Sequence, residues 1–309
     1  MTLAKEWQDI EDEPVELKED TKNTTKYLTG SALIDLFNKG LTGGFNFHVY
    51  NLDELLNPPG HRGECPLTIG KGFITMIGGQ PGAGKSAIVE QVVWHILKTD
   101  PDARVFFANV ELTTEVLLAR HMTRLTGIDT KNILTGQLAA HEREAVQQHF
   151  DELAPMLDRV AIYPNPRNWP DVAGAIRDFN ANVVVADYLQ RFKGGEQSQS
   201  LREDVGVVMQ SLRACADGGR AVLAVSALSR SKSGSGSSYE ASSGIASFRE
   251  SSEVEYGADF GYIIANTDHP GTKHLHVVKN RYGTLGTYGA SFDGQRGEWS
   301  IGANLEGEA

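Results

Sequence analysis

The sequence predicts an α/β fold: a mostly parallel sheet flanked by helices on both faces, with an antiparallel C-terminal edge. Three observations predict it. Gly79-Gln80-Pro81-Gly82-Ala83-Gly84-Lys85-Ser86 fits G-x-x-x-x-G-K-[ST], a phosphate-binding loop that needs an incoming strand and an outgoing helix. From residue 71 onward, continuous apolar strands alternate with amphipathic helices, which means a parallel sheet covered on both faces. Beyond residue 260, four short strands follow one another across turns, as in the antiparallel edge of many open α/β sheets.

The N-terminal part carries no such pattern. Net charge over the 309 residues is −11, which at first argues against nucleic acid as a partner. Residues 1–20 hold eight acids against Lys5 and Lys18, so −6 of that charge sits in one arm and −5 in everything else. Residues 1–26 are expected to be a disordered acidic arm. A short amphipathic helix is expected over 31–39, between a Ser31 cap and a Gly40 stop, within a linker spanning 27–44. Its stripe of Leu33, Leu36 and Phe37 either packs on its own domain or docks on a neighbouring subunit. Residues 41–70 read as loop-rich. His61 and Cys65 lie close together there, but no second Cys/His pair completes a zinc site. Two cysteines, no secretory signal and no bilayer-length apolar run point to a reduced, cytoplasmic protein.

The main elements follow in order. The run Gly72 to Ile77 is the strand that enters the loop. Ile88, Val89, Val92, Val93, Ile96 and Leu97 recur at helical spacing until Asp100-Pro101 stops the helix. Residues 104–110 form a strand that delivers Glu111, and Thr113 to Leu125 a helix. A helix over 141–157, a strand over 160–163 and a helix over 170–179 come next. The apolar strand 182–186 delivers Asp187. Val205, Val208, Met209, Leu212 and Cys215 mark a helix over 201–216, followed by a strand over 220–225. Residues 229–247 form a Ser/Gly-rich loop too flexible to pack a core. Strands are expected at 260–266, 274–281, 287–292 and 297–301, with 302–309 a flexible tail.

The loop dictates its chemistry. Its glycines let backbone N–H groups of Gly79, Gln80, Pro81, Gly82, Ala83 and Gly84 wrap a phosphate, apart from the proline, which lacks one. Lys85 would reach the β/γ-phosphates of ATP and the Ser86 hydroxyl would sit on Mg²⁺. Asp187, at the end of an apolar strand, would hold the same ion through water; otherwise it serves its own turn. Glu111 would face the same crevice, because ligands of such sheets sit outside the carboxyl ends of the strands. It would deprotonate the attacking water, or else cap the helix at Thr113-Thr114-Glu115.

These residues resemble a family. Gly79–Ser86, Asn109–Glu115, Val185–Gln190, Ser226–Arg230, Phe248–Ser252 and Lys279–Gly283 look like the successive motifs of DnaB-type ring helicases, in that family's order, over about residues 45–300. The resemblance implies a RecA-like P-loop NTPase core over 45–301, a homo-hexameric ring and ATP sites between subunits. It implies that Glu111 activates water, that Asp187 supports Mg²⁺, and that Lys279 and Arg281 reach the neighbouring subunit's γ-phosphate. Without the family, Lys279 and Arg281 are a solvated strand face. The resemblance further implies that loops after the Asp187 and Ser226 strands track single-stranded DNA, through Arg191, Lys193, Arg202, Arg230 and Lys232. For 233–245 a plain disordered linker is the other reading.

Two departures stand out. Ala227 occupies the position where the family carries a glutamine that senses the γ-phosphate, and a methyl group cannot hydrogen-bond; Ser226 or Gln190 would have to substitute. The residues upstream of 45 are too few for the collar domain of cellular replicative helicases, so contacts with a loader or primase made through it are not carried over. Two alternatives remain open from the sequence. One is a RadA-like recombination or regulatory ATPase that assembles without unwinding; the other is a monomeric phosphotransferase.

Overall fold

The computed structural model of the chain describes residue 34 and residues 48–57, 65–228, 231–233, 236–238, 248 and 251–305. The chain divides into two units between Phe47 and His48. The acidic arm of 1–26 lies outside the described residues. Of the expected 31–39 helix, Ile34 alone is described, and it is helical and exposed. The second unit holds eleven described strands, β1 (Ile74–Gly79), β2 (Val105–Asn109), β3 (Val160–Pro164), β4 (Val183–Asp187), β5 (Ala221–Ala227), β6 (Ser231–Ser233), β7 (Gly236–Ser238), β8 (Phe260–Asn266), β9 (Thr272–Asn280), β10 (Gly286–Asp293) and β11 (Glu298–Asn304). Its described helices are α1 (Asp53–Leu56), α2 (Lys85–Thr99), α3 (Thr114–Thr126), α4 (Thr130–Thr135), α5 (Ala140–Leu157), α6 (Trp169–Asp178), α7 (Leu201–Asp217) and α8 (Ser251–Gly257), with a 3₁₀ turn at Leu189–Arg191.

Nine strands form one sheet in the order β11-β10-β9-β8-β1-β5-β4-β2-β3. From β8 to β3 all neighbours are parallel, and β9 to β11 complete the sheet antiparallel. The period-2 alternation of a strand sorts its side chains into two cores. Ile77, Val105, Phe107, Val185 and Val225 join Ile88, Val92, Ile96 and Met122 from α2 and α3 on one face. Met76, Phe106, Val184 and Ala224 join Val172, Ile176, Val205, Val208 and Leu212 from α6 and α7 on the other. Both faces of β1, β2, β4 and β5 are therefore dry, which is why those runs are apolar throughout.

Register fixes the site. Gly79 pairs with Ala227, and Asn109 with Asp187, so the carboxyl ends of β1, β5, β2 and β4 share one edge. The antiparallel β9 runs the other way: Asn280 pairs with Phe260, which pairs with Thr75. Lys279 and Arg281 thus sit at the opposite edge, roughly 13 Å down the strand direction from Gly79 at about 3.3 Å per residue.

The structure differs from the sequence reading in several places. The Ser/Gly-rich stretch expected to be a loop contains an antiparallel ribbon, β6 paired with β7. β11 runs to Asn304, where it pairs with Tyr288, so three residues assigned to a flexible tail are strand. Helices α1, α4 and α8 were not expected; each has seven residues or fewer, too short for a periodic stripe. Both cysteines are free, and Cys215 packs against the core as its place on α7 predicts. Among the described residues no helix is long and apolar enough to cross a membrane.

Candidate nucleoside triphosphate site

At the carboxyl edge of β1 the chain turns through Gln80–Gly84 into α2 and opens a cleft of about 970 Å³. Gly79, Gly82, Gly84, Lys85, Ser86, Glu111 and Asp187 all line it. Pro81 does so too, whereas Gln80 and Ala83 build the turn itself, the Gln80 carbonyl accepting from Ala83 N–H at 3.1 Å. Gly84 adopts the left-handed conformation at φ 91°, and a Cβ there would lie 2.8 Å from Trp299. Trp299 also donates its indole N–H to the Gly84 carbonyl at 3.0 Å. The loop is thus braced from below by β11. Gly84→Ala is expected to combine backbone strain with this clash and cost about 2–3 kcal/mol, read by thermal melting. An alanine variant as stable as the wild type would show that the brace is dispensable.

The first turn of α2 leaves the N–H groups of Lys85, Ser86 and Ala87 without intrahelical acceptors, and no other backbone acceptor reaches them among the described residues. Those donors and the helix dipole suit an anion. Lys85 donates to the carbonyls of Gly79 and Gln80, at 2.9 Å each, so its ammonium already lies along the loop. Burial pushes its pKa down, against the pull of Asp187 and Glu111.

Asp187 is 2% exposed. Burial pushes its carboxyl up to about 6, although a hydrogen bond with Ser86 favours the ionised form; Glu111 adds to the rise, and Lys85 and Arg120 oppose it. Glu111 stands just beyond β2 and is exposed to the cleft. The Asn109 side chain holds it there, its Oδ1 accepting from Glu111 N–H at 2.8 Å and Leu112 N–H at 3.1 Å. No hydrogen bond joins the α3 N-terminus to the Glu111 carboxylate among the described residues, so it is not acting as that helix's cap. Ser86 and Asp187 form a hard-oxygen pair of the kind that suits Mg²⁺, which takes most of its ligands from water and phosphate. No group of three or more His, Cys, Asp or Glu able to hold a metal occurs among the described residues.

The cleft also contains residues the sequence reading missed. Arg120 and Arg124 on α3, Glu90 on α2, and Gln295 and Arg296 from the β10–β11 turn line it. The signal that could have found Glu90 is a charged side chain set among the apolar positions Ile88, Val89, Val92 and Val93 of α2. Burial pushes its carboxyl up to about 7, with Arg124 and Arg120 opposing and Asp187 adding to the rise. The folded protein therefore holds a proton on Glu90 at pH values where the unfolded chain, titrating near 4.5, does not. Ionised Glu90 costs stability; the cost is absent below about pH 4.5 and complete above about pH 7. Going from pH 4.5 to 8, the stability of Glu90→Gln relative to wild type should improve by on the order of 3 kcal/mol. Urea titrations at the two pH values check this, and a pH-independent difference would contradict it.

The remaining predicted residues lie elsewhere. Lys279 donates to the Glu255 carbonyl, and Arg281 Nη1 meets Asp259 Oδ1 at 2.9 Å; neither lines the cleft of its own chain. Arg191 and Arg202 are exposed, on the 3₁₀ turn and the start of α7. Lys193 Nζ is ion-paired at 2.9 Å with the buried Asp204, whose other oxygen accepts from Gly194 N–H at 2.7 Å. Arg230 and the side chain of Lys232 fall outside the described residues. Beside Ala227, Gln190 ties the 3₁₀ turn to the end of β5: its amide donates to Ser226 Oγ at 2.8 Å and its carbonyl accepts from Ala227 N–H at 3.0 Å.

Fold and cleft together define a P-loop α/β protein. The chain belongs to the family of the DnaB-like helicase C-terminal domain, which matches residues 68–300. It is 22% identical over 237 residues to a probable plasmid replicative DNA helicase of Chlamydia trachomatis serovar L2, covering 74% of this chain and 50% of that protein. It is 23% identical over 152 residues to the replicative DNA helicase DnaB of Helicobacter pylori, covering 47% of this chain and 30% of that one. The chain thus spans half or less of the length of these relatives. Among solved structures, it superposes on the ATPase domain of G40P with a TM-score of 0.63 at 17% identity, over 74% of this chain and 85% of the other. On a DnaB-like replicative helicase, described with its interactions with primase, the TM-score is 0.69 at 16% identity, over 88% and 68%. The RecA-like core that the motifs imply is the fold observed.

Proposed function

We propose that this chain is the ATP-hydrolysing subunit of a ring helicase that translocates on single-stranded DNA and unwinds duplex during DNA replication. One observation carries the reading: the loop, Asp187 and Glu111 converge at one sheet edge, while Lys279 and Arg281 stand at the opposite edge. A chain so built can hold ATP alone but cannot bring those two cations to its own phosphates. Only a neighbour in a homo-oligomer can supply them.

In this reading the α2 N-terminus and the loop amides bind the β-phosphate, and Lys85 shifts from the Gly79 and Gln80 carbonyls to the β/γ oxygens. Ser86 and, through water, Asp187 would hold Mg²⁺, which supplies neutralisation of charge on the β- and γ-phosphates. Glu111 accepts the proton of the water that attacks the γ-phosphorus, and the bond to the bridging oxygen of ADP breaks. Arg281 and Lys279 of the next subunit stabilise charge on the transferred group, which ties hydrolysis to ring assembly. Gln190 links the end of β5 to the loop after β4, so the γ-phosphate side and the DNA-tracking loops share one side chain. Arg191, Arg202, Arg230 and Lys232, with Lys193 partly committed to Asp204, would meet phosphates without reading sequence.

The test is steady-state ATP hydrolysis with and without single-stranded DNA across a salt series. Strong stimulation that falls with salt is expected. Hydrolysis indifferent to DNA would refute the helicase reading. Ala227 favours one second reading, a RadA-like ATPase that assembles on DNA without unwinding. Stimulated hydrolysis without strand displacement would select it.

A further inference from the structure

Glu90 is a buried carboxylate of the cleft that the hydrolysis scheme does not use. It is 2% exposed, and neither carboxylate oxygen accepts a hydrogen bond from any described residue. Glu90 lies four residues after Ser86 on α2, hence on the same helix face, which is why it reaches the cleft. Filling that space with an apolar side chain would avoid the desolvation of a carboxylate, so the charge itself needs an explanation.

Its nearest cations supply one, because they differ. Arg124 Nη2 stands 3.7 Å from Oε2 and is 8% exposed. It is fixed independently: Nε donates to the Gly297 carbonyl at 3.0 Å, Nη2 to the Ala87 carbonyl at 3.5 Å, and Nη1 faces His121 Nδ1 at 3.3 Å. His121, stacked on Trp94 and pushed down to about 3 by burial, is neutral and can accept that bond. Arg120 Nη1 stands 3.9 Å from Oε1 and is 42% exposed, and no hydrogen bond to another described residue holds it. Glu90 therefore faces a guanidinium that cannot move and one that can. The movable one lines the cleft together with Lys85, Glu111 and Asp187.

The geometry points to Glu90 as a positioning residue for Arg120: a buried acceptor that draws this guanidinium to the inner wall of the nucleotide cleft and competes with bound phosphate for it, without touching the nucleotide. This rests on reading the cleft as a nucleotide site. A planar guanidinium matches phosphate oxygens bidentately, so the share of Arg120 that Glu90 retains sets how tightly the phosphates are held. Removing the carboxylate releases Arg120 to the phosphates, and a nucleotide should bind more tightly.

The test is equilibrium binding of a fluorescent ADP analogue to the full chain, in a double-mutant cycle of Glu90→Gln and Arg120→Gln. Glu90→Gln is expected to tighten binding about fivefold, and Arg120→Gln to weaken it about tenfold. In the Arg120→Gln background, the Glu90→Gln gain should fall below twofold. A gain of the same size in both backgrounds, or melting that shifts with no change in ADP affinity, would overturn the proposal. Should Glu90→Gln fail to fold, Glu90→Asp keeps the charge but withdraws it by one methylene. It should tighten ADP through Arg120 in the same way, and unchanged affinity would equally refute the idea. A wild type that binds no ADP sinks the nucleotide reading itself. Binding with an additive cycle sinks only the role of Glu90.

Discussion

Glu111→Gln is expected to lower ATP turnover by about a thousandfold while leaving nucleotide affinity within about twofold. The amide keeps the shape and hydrogen-bonding reach of the carboxylate but cannot take a proton from water. Asn109 fixes the exit of β2 through the backbone of Glu111 and Leu112, so the substitution leaves the frame in place. Asp187 and Glu111, two of the three carboxylates lining the cleft, also divide their tasks by environment. Asp187 is buried and hydrogen-bonded with Ser86, which suits it to a metal; Glu111 is exposed to the space where water and the γ-phosphate would meet. Single-turnover hydrolysis and a separate binding titration check the split. Equal losses in affinity and turnover would make Glu111 a binding group, and unchanged turnover would move the base elsewhere.

How much of this was legible in the sequence depends on the range of each interaction. The loop, its strand and its helix are read from about twenty consecutive residues, because glycine, lysine and an apolar period are local signals. Strands β2, β4 and β5 were legible because burial on both faces leaves no polar alternation to confuse them. α4 was missed although Asp129 caps it, accepting from Lys131 N–H at 2.7 Å, and Gly136 ends it in the left-handed conformation. Six residues are too few for a periodic stripe, and caps without a stripe do not by themselves announce a helix. α8 lies in a serine-rich stretch whose local preference opposes a helix; what supports it is tertiary, including Val254, which is fully buried.

The site shows the same division. Asp187 and Glu111 were found by their place at strand ends. The Glu90, Arg120 and Arg124 cluster joins α2 to α3 across thirty residues or more, and nothing local announces that pairing. Lys193 shows what a partner adds to a reading by composition. Counted by composition it is a loop cation available to DNA, yet eleven residues on, the buried Asp204 takes its charge. Loop charge read without partners overstates what is available to a ligand.

Arg281→Ala is expected to abolish hydrolysis nearly as completely as loss of Lys85, by about a thousandfold, with nucleotide binding by each subunit retained. Within its own chain Arg281 meets Asp259, a carboxylate 1% exposed that also takes Arg213 Nη1 at 2.8 Å and the Ile74 N–H at 2.8 Å. Arg213 and Ile74 both hold Oδ2, so the carboxylate stays ion-paired without Arg281, whereas Oδ1 meets Arg281, which is 48% exposed and held there by that ion pair and one backbone bond. It can leave for a neighbour's phosphate at small cost to its own fold, so Arg281→Ala should melt within a few degrees of wild type. The decisive experiment uses two inactive variants. Lys85→Ala spoils a subunit's own site but leaves its Arg281 to offer; Arg281→Ala keeps its own site but offers nothing. Mixed at equal amounts and allowed to exchange, roughly a quarter of the sites should pair an intact loop with an intact Arg281, as expected for random neighbours in a head-to-tail ring. Activity returning only in the mixture would place the arginine in trans. Activity absent from the mixture, despite demonstrated exchange, would return Lys279 and Arg281 to a solvated strand face and leave the ring reading without its physical basis.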